Sequence, residues 1–395
     1  MDQRQAPTEE TEASSQPINW LALAAVISGI TGVGLALSLS LPLLSIVLER
    51  RGISASLVGL NTATAGVAAI IVLPFVTAVA VRVGTANLII LSFAVMCASL
   101  MGFYYAEEFL LWFPLRFAFA AAVTASFALT EFWINSLAPD SRRGLIVGVY
   151  TAFLSVGIAL GPLILALVGT EGIAPFLCGA AALAVAALPV ALVRGQEPEL
   201  HGGVSNNLLR FLWLTPLALV AAIVFGAVES GGTAILPLYG TALGLSSEAA
   251  VVLVSAIAVG NVLSQIPIGY LADKMDRRLL LILCSFIGAL GAIALPFVSD
   301  NYTALLVVLF ITGGIVAGLY TVGLTHLGAR YKGAELAEAN AAFVMMYAIG
   351  MLIGPVTLGA GLDVWEPHGF AVAIAVIFIA YVVLGLVRLS RAGRA

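Results

Sequence analysis

The sequence predicts an all-α polytopic membrane protein, with twelve transmembrane helices arranged as two pseudo-symmetric six-helix bundles. Three observations predict it. Of 395 residues, 61% are hydrophobic and 10% charged, whereas a soluble domain carries about 25% charged residues. Twelve spans of about 20 residues each need about 240 apolar residues, which this apolar fraction supplies. Landmarks of the first half also recur about 193–195 residues later.

The same composition excludes other classes. A net charge of −4 leaves no basic footprint for nucleic acid. The three cysteines, Cys97, Cys178 and Cys284, stand singly in apolar stretches, so no metal site and no cofactor are expected. Continuous apolar runs disfavour a transmembrane β-barrel, whose strands alternate. An enzyme is not expected either, because the chain has no H-E-x-x-H, no G-x-S-x-G and no Walker loop.

Residues 1–17 are polar and acidic (Asp2, Glu9, Glu10, Glu12) and read as a disordered cytoplasmic tail without the positive start of a signal peptide. Hydropathy and punctuation then mark segments near 18–48, 56–81, 86–106, 109–138, 144–168, 173–193, 210–238, 249–272, 279–298, 302–329, 338–362 and 369–387. The first bundle occupies 18–193 and the second 210–388. Between them, 194–209 (RGQEPELHGGVSNNLL) reads as a cytoplasmic linker, and 389–395 as a short cytoplasmic tail. Fourteen of the seventeen Lys and Arg fall on the side of the termini, only Arg50 and Arg51 lie in loops opposite, and Arg116 is intramembrane. By the positive-inside rule both termini are expected in the cytoplasm, in a bacterial inner membrane.

The repeat is carried by matched landmarks. Leu41-Pro42 falls on Leu236-Pro237, Pro74 on Pro267, and Leu129-Thr130-Glu131 on Leu324-Thr325-His326. Gly157-x-x-x-Gly161-Pro162 in segment 5 falls on Gly350-x-x-x-Gly354-Pro355 in segment 11. Two parallel halves of this kind are a transporter pattern. Between segments 8 and 9, Gly269-Tyr-Leu-Ala-Asp273-Lys274-Met-Asp276-Arg277-Arg278 resembles the cytoplasmic loop signature G-x-L-x-D-[RK]-x-G-R-R of the major facilitator superfamily. Asp276 stands where that signature has glycine, and the equivalent loop of the first half, Ala80-Val-Arg82-Val-Gly84, lacks the Asp. The glycine-proline element of segment 5 resembles the family's antiporter-type motif, and Arg116 its segment-4 arginine. Thr130-Glu131-Phe132-Trp133-Ile134-Asn135 with Arg142-Arg143-Gly144 resembles the YcaD-like subgroup, whose relatives include bacterial riboflavin importers. The resemblance implies that segments 1, 4, 7 and 10 line a central cavity.

Charge inside hydrocarbon costs about 2.5–3.5 kcal/mol per residue on insertion scales and marks candidate sites. Arg116, Glu131, Glu229 and His326 are the charged or ionisable candidates for a substrate or proton site, all on segments expected to line the cavity. Glu131 and His326 are repeat-equivalent, a placement that allows them to face each other across the pseudo-twofold axis. Arg116 has a bland reading as an outward-snorkelling or paired structural charge. Asn261 and Gln265, one turn apart in segment 8, are either interhelical glue or substrate contacts. Tyr347, with Tyr150 and Phe343, offers stacking surface for a planar solute, or core packing. Gly157, Gly161, Pro162, Gly350, Gly354 and Pro355 are expected to bend and pack helices that gate the cavity. The expected function is secondary transport of a small organic solute by a monomer working through alternating access, riboflavin uptake foremost. Protons are a candidate coupling ion, and proton-coupled efflux of drugs or metabolites is the alternative.

Overall fold

The computed structural model describes residues 19–137, 143–197, 210–331 and 333–392. The tail 1–17, residues 198–209 of the linker and 393–395 of the C-terminal tail lie outside the described residues. Segment 1 is the helix Trp20–Arg50, segment 2 Ala55–Val83, segment 3 Thr85–Tyr105, segment 4 Trp112–Leu137, segment 5 Arg143–Val168 and segment 6 Ala174–Leu192. A short helix Arg210–Leu214 leads into segment 7, Pro216–Ala242; segment 8 is Ser247–Lys274 and segment 9 Arg277–Val298. Segment 10 comes in two pieces, Tyr302–Val316 and Gly318–Arg330, and is followed by segment 11, Gly333–Val364, and segment 12, Gly369–Ala392.

Helices are what the bilayer demands of such a sequence, because only they satisfy every backbone polar group within the segment. Among the described residues eleven helices are long and apolar enough to cross a membrane, and Ala152–Val168 in segment 5 is a shorter apolar stretch. Prolines sit inside matched pairs of helices: Pro42 and Pro237, Pro74 and Pro267, Pro162 and Pro355. Ser54 and Ser246 cap segments 2 and 8 in the same way, accepting from Leu57 N and Ala249 N. Phe75, Ile266 and Phe297 are more than 60% exposed, as expected for side chains that face lipid tails.

The one departure from the expected segments is the break in segment 10. The run Ile311-Thr-Gly-Gly-Ile-Val-Ala-Gly318 has three glycines, and the helix is interrupted at the single residue Ala317, whose backbone stays right-handed helical. The matching stretch of segment 4 stays one helix.

Each bundle is built on the same helix pair. Segment 5 packs on segment 1 and segment 11 on segment 7, and small residues let the backbones meet. A Cβ added at Gly157 would strike Thr31 O, and one at Gly350 would strike Ile223 O. Gly161 meets Ser38, and Gly354 meets Ala227. These are the glycines expected to pack and bend gating helices, and the structure shows them as packing notches within each bundle.

Between the bundles the twofold is broken. Segment 2 packs closely on segment 11, with Gly59 against Pro355 O, Gly66 against Leu352 and Gly359 against Ala55 O. In its repeat counterpart, segment 5 with segment 8, the described glycines make no such contact: Gly260 faces Phe310 of segment 10 instead. With twelve crossings, both ends of the described chain lie at one end of the molecule, the near end. The far end is joined across the bundles by Asp363 to Ala55 N and Ser56 N, Thr241 Oγ1 to Glu49 Oε1 (2.6 Å), and Arg50 Nη2 to Ser247 Oγ (2.9 Å). At the near end Glu131, Asn135 and Ser136 of segment 4 and Gly328–Arg330 of segment 10 are exposed. The bundles are thus bonded to each other at the far end, while the near-end tips of segments 4 and 10 are exposed.

Gly354→Val is expected to lower unfolding stability by about 1–3 kcal/mol through overpacking against Ala227. Gly328→Ala, at a helical glycine with nothing within 4 Å, is expected to leave stability unchanged or raised. Thermal unfolding in detergent checks both, and equal midpoints for the two variants would contradict the notch.

Candidate functional site

The candidate site grows from one glycine notch. At Gly226 of segment 7 the backbone of segment 11 comes close enough that a Cβ would strike Tyr347 O. One turn on, Glu229 accepts a hydrogen bond from the Tyr347 hydroxyl at 2.5 Å. Among the described residues no Lys, Arg or His makes an ion pair with Glu229. A carboxylate removed from water without a cation must find hydrogen bonds or a proton, and Tyr347 supplies one hydrogen bond.

Around this pair stand four rings centred on Tyr320. Its ring centroid lies 5.2 Å from Phe343, 5.6 Å from Phe225 and 5.9 Å from Tyr347. Phe225 in turn lies 6.1 Å from Tyr347. These distances suit edge and offset contacts between aromatic quadrupoles. Tyr320 is three residues past the interruption at Ala317. Thr321, the next residue, donates to Gln265 Oε1 (2.7 Å), and Gln265 Nε2 donates to Asn261 Oδ1 (2.7 Å). Asn261 and Gln265 are thus joined to each other and tie segment 8 to the second piece of segment 10.

The other bundle contributes Glu131, Tyr150 and Thr130. Thr130 Oγ1 and Tyr150 OH lie 3.2 Å apart. The charge of Glu131 acts on Tyr150 of its own bundle and on Tyr320 of the other, and Tyr320 also feels Glu229. Glu131 is nonetheless exposed. Glu229 also lines a cavity of about 90 Å³ inside the second bundle, walled mostly by apolar residues, with Thr233 and Thr312 as its other polar side chains.

Two candidates lie away from the Glu229 pair. His326 lies within Coulombic reach of Arg278, Arg330, Arg277 and Asp276 at the near end. Arg116 does not join the carboxylates either. It is 1% exposed, donates from Nε to Asn61 Oδ1 at 3.2 Å and lies 5.7 Å from the Phe103 ring, between segments 2, 3 and 4.

The loop motif is a hinge of charges. Segment 8 ends at Lys274, and Asp276 caps segment 9 by accepting from Arg278 N at 2.8 Å. Arg278 also forks onto Asp276 (3.2 and 2.9 Å), and this pairing holds the Asp276 carboxyl below the ordinary carboxylate range. Asp273 lies 3.9 Å from Arg277, and Lys274 Nζ 5.8 Å from the Tyr270 ring. Gly269, on the same turn, meets nothing within 4 Å. Asp276 is a helix cap, which explains an acid where the signature has glycine.

Phe225, Tyr320, Thr321 and Asn61 were not singled out from sequence. A polar residue just past a glycine-rich break is the one signal that points to Tyr320 and Thr321; Phe225 carries no signal distinct from core packing.

The sequence profile of the Major Facilitator Superfamily matches residues 21–260 and 218–394. An uncharacterized MFS-type transporter, YfkF of Bacillus subtilis (strain 168), is 26% identical over 344 residues, 84% of this chain and 86% of that one. YcaD of Escherichia coli O139:H28, also an uncharacterized MFS-type transporter, is 27% identical over 268 residues, 67% and 68% of the two chains. Solved structures share the fold. The nucleoside transporter NupG has a TM-score of 0.73 at 13% identity, covering 94% of this chain and 98% of that one. A D-xylose–proton symporter has 0.74 at 16%, covering 92% and 96%. A bacterial homolog of the lysosomal transporter Spinster, inward-facing and unoccupied, has 0.72 at 15%, covering 96% of each. With twelve apolar segments in two matched bundles and a profile match along nearly its whole length, the chain belongs to the major facilitator superfamily, a secondary transporter of small solutes and not an enzyme.

Proposed function

We propose that this chain moves a small planar organic solute across the bacterial inner membrane by alternating access, exchanging protons at Glu229. The observation that carries the reading is Glu229 itself, held by Tyr347 in a ring of Phe225, Tyr320 and Phe343 with no described cation to neutralise it. A proton is the smallest group that relieves that charge, and a carboxyl in apolar surroundings binds one reversibly. The rings offer faces for a flat solute, and Glu131 and Tyr150 close the site from the other bundle. A fold neighbour that is a proton symporter supports the coupling. With both termini in the cytoplasm, as the Lys and Arg distribution implies, the near end is the inside and the structure is inward-facing.

Riboflavin uptake is the specific form of this proposal. It follows from the subgroup resemblance, and the aromatic set suits a planar ring with a polar tail. Efflux in exchange for protons is the second reading, favoured by the antiporter-like Gly157–Pro162 element.

Expression in a riboflavin-requiring bacterium is expected to restore growth at low external riboflavin. Absence of rescue with raised drug resistance would replace uptake by efflux. In proteoliposomes, Glu229→Gln is expected to abolish pH-gradient-driven accumulation and to leave saturable counterflow. Tyr347→Phe removes a charge-assisted hydrogen bond worth about 1.5–3 kcal/mol and is expected to lower counterflow kcat/KM about tenfold. Wild-type rates in both variants would remove the pair from the site.

A further inference from the structure

The far-end seal contains a helix cap borrowed from the opposite bundle. Segment 2 begins at Ala55 with no acidic residue in its first turn. Its first free N–H groups are met from two sources. Ser54 Oγ accepts from Leu57 N within the bundle, and Ser54 O accepts from Val58 N. Ala55 N and Ser56 N instead donate to Asp363 Oδ1 (3.0 Å) and Oδ2 (2.8 Å), at the far end of segment 11. Both carboxylate oxygens are engaged, one on each N–H. The repeat counterpart, segment 8, carries Glu248 in its own first turn and needs no such loan.

An anion at a helix N-terminus satisfies orphan donors and complements the helix dipole. An anion from within the same bundle would stay in place through any movement of the bundles. Asp363 does not share a bundle with segment 2, so its two bonds exist only while the far end is shut. They also sit directly beside the notch where Gly359 meets Ala55 O, so separation of the bundles exposes the cap and the dry glycine contact together.

We infer that Asp363 is the catch of the transport cycle: its carboxylate, by capping segment 2 across the bundles, sets the balance between the far-end-closed and far-end-open states. Asp363 is a positioning residue and lies away from the Glu229 site, so the inference is independent of the solute's identity and rests only on the alternating-access reading. Removing its charge releases the far end without touching Glu229, Tyr347 or the aromatic ring.

The test uses the full chain in lipid nanodiscs, with Cys97, Cys178 and Cys284 replaced by serine and spin labels at Glu108→Cys and Asp300→Cys. These exposed far-end loop positions lie one on each bundle. Electron–electron double resonance is expected to give one short distance in the parent and a second, longer one in Asp363→Asn. The ratio of open to closed is expected to rise about threefold to tenfold, the scale of losing the charge's attraction to the helix dipole and one of the two accepted hydrogen bonds. Asp363→Asn keeps the side chain's size, and thermal unfolding confirms that it is folded. A longer distance populated equally in parent and Asp363→Asn would overturn the catch and leave alternating access standing. A single short distance in every variant, with and without a pH gradient, would overturn alternating access and the catch with it.

Discussion

The structure depends on one constraint: in hydrocarbon, a polar group without a partner is too costly to keep. The constraint makes every segment a helix, and it makes the remaining charges few. Arg116 meets it in part, with Asn61 and the face of Phe103, while its Nη2 is buried without a hydrogen-bond partner. Gln265 meets it with Asn261 and Thr321. Glu229 also meets it only in part, with a single tyrosine hydroxyl. What sets Glu229 apart is its chemistry: a carboxyl can shed its charge by taking up a proton, whereas a guanidinium stays protonated.

The second constraint is close approach. Without a hydrophobic drive between helices in lipid, packing falls to small residues. Gly157 and Gly161 against segment 1, and Gly350 and Gly354 against segment 7, make each bundle a rigid unit around an identical pair. Gly59, Gly66 and Gly359 then make a third seam, between the bundles and only on the side of segments 2 and 11. The expectation of gating glycines is thereby refined: the motif glycines hold the bundles together internally, and glycines outside the motif hold the far end closed.

Much of the architecture was readable because hydropathy, proline position and Gly-x-x-x-Gly-Pro spacing are local signals that the bilayer enforces. Glu131, Glu229 and Tyr347 were readable as candidates because ionisable or aromatic residues on segments expected to line the cavity stand out. The partner relations were not readable. His326 and Glu131 occupy matching places in the repeat, yet His326 lies among Arg277, Arg278 and Arg330, which spacing alone does not foretell. Phe225 and Tyr320 look like core residues in sequence, because nothing local distinguishes a ring that packs from a ring that lines a site. Asp363 carries no signal in sequence, since its meaning lies in Ala55 and Ser56, more than 300 positions away.

The central claim is that Glu229 exchanges a proton within an aromatic site. Infrared difference spectroscopy of the reconstituted protein across a pH titration tests it most directly. The account predicts a protonated-carboxyl stretch that appears as pH falls in wild type and loses one component in Glu229→Gln. Identical carboxyl bands in wild type and Glu229→Gln at every pH would contradict it.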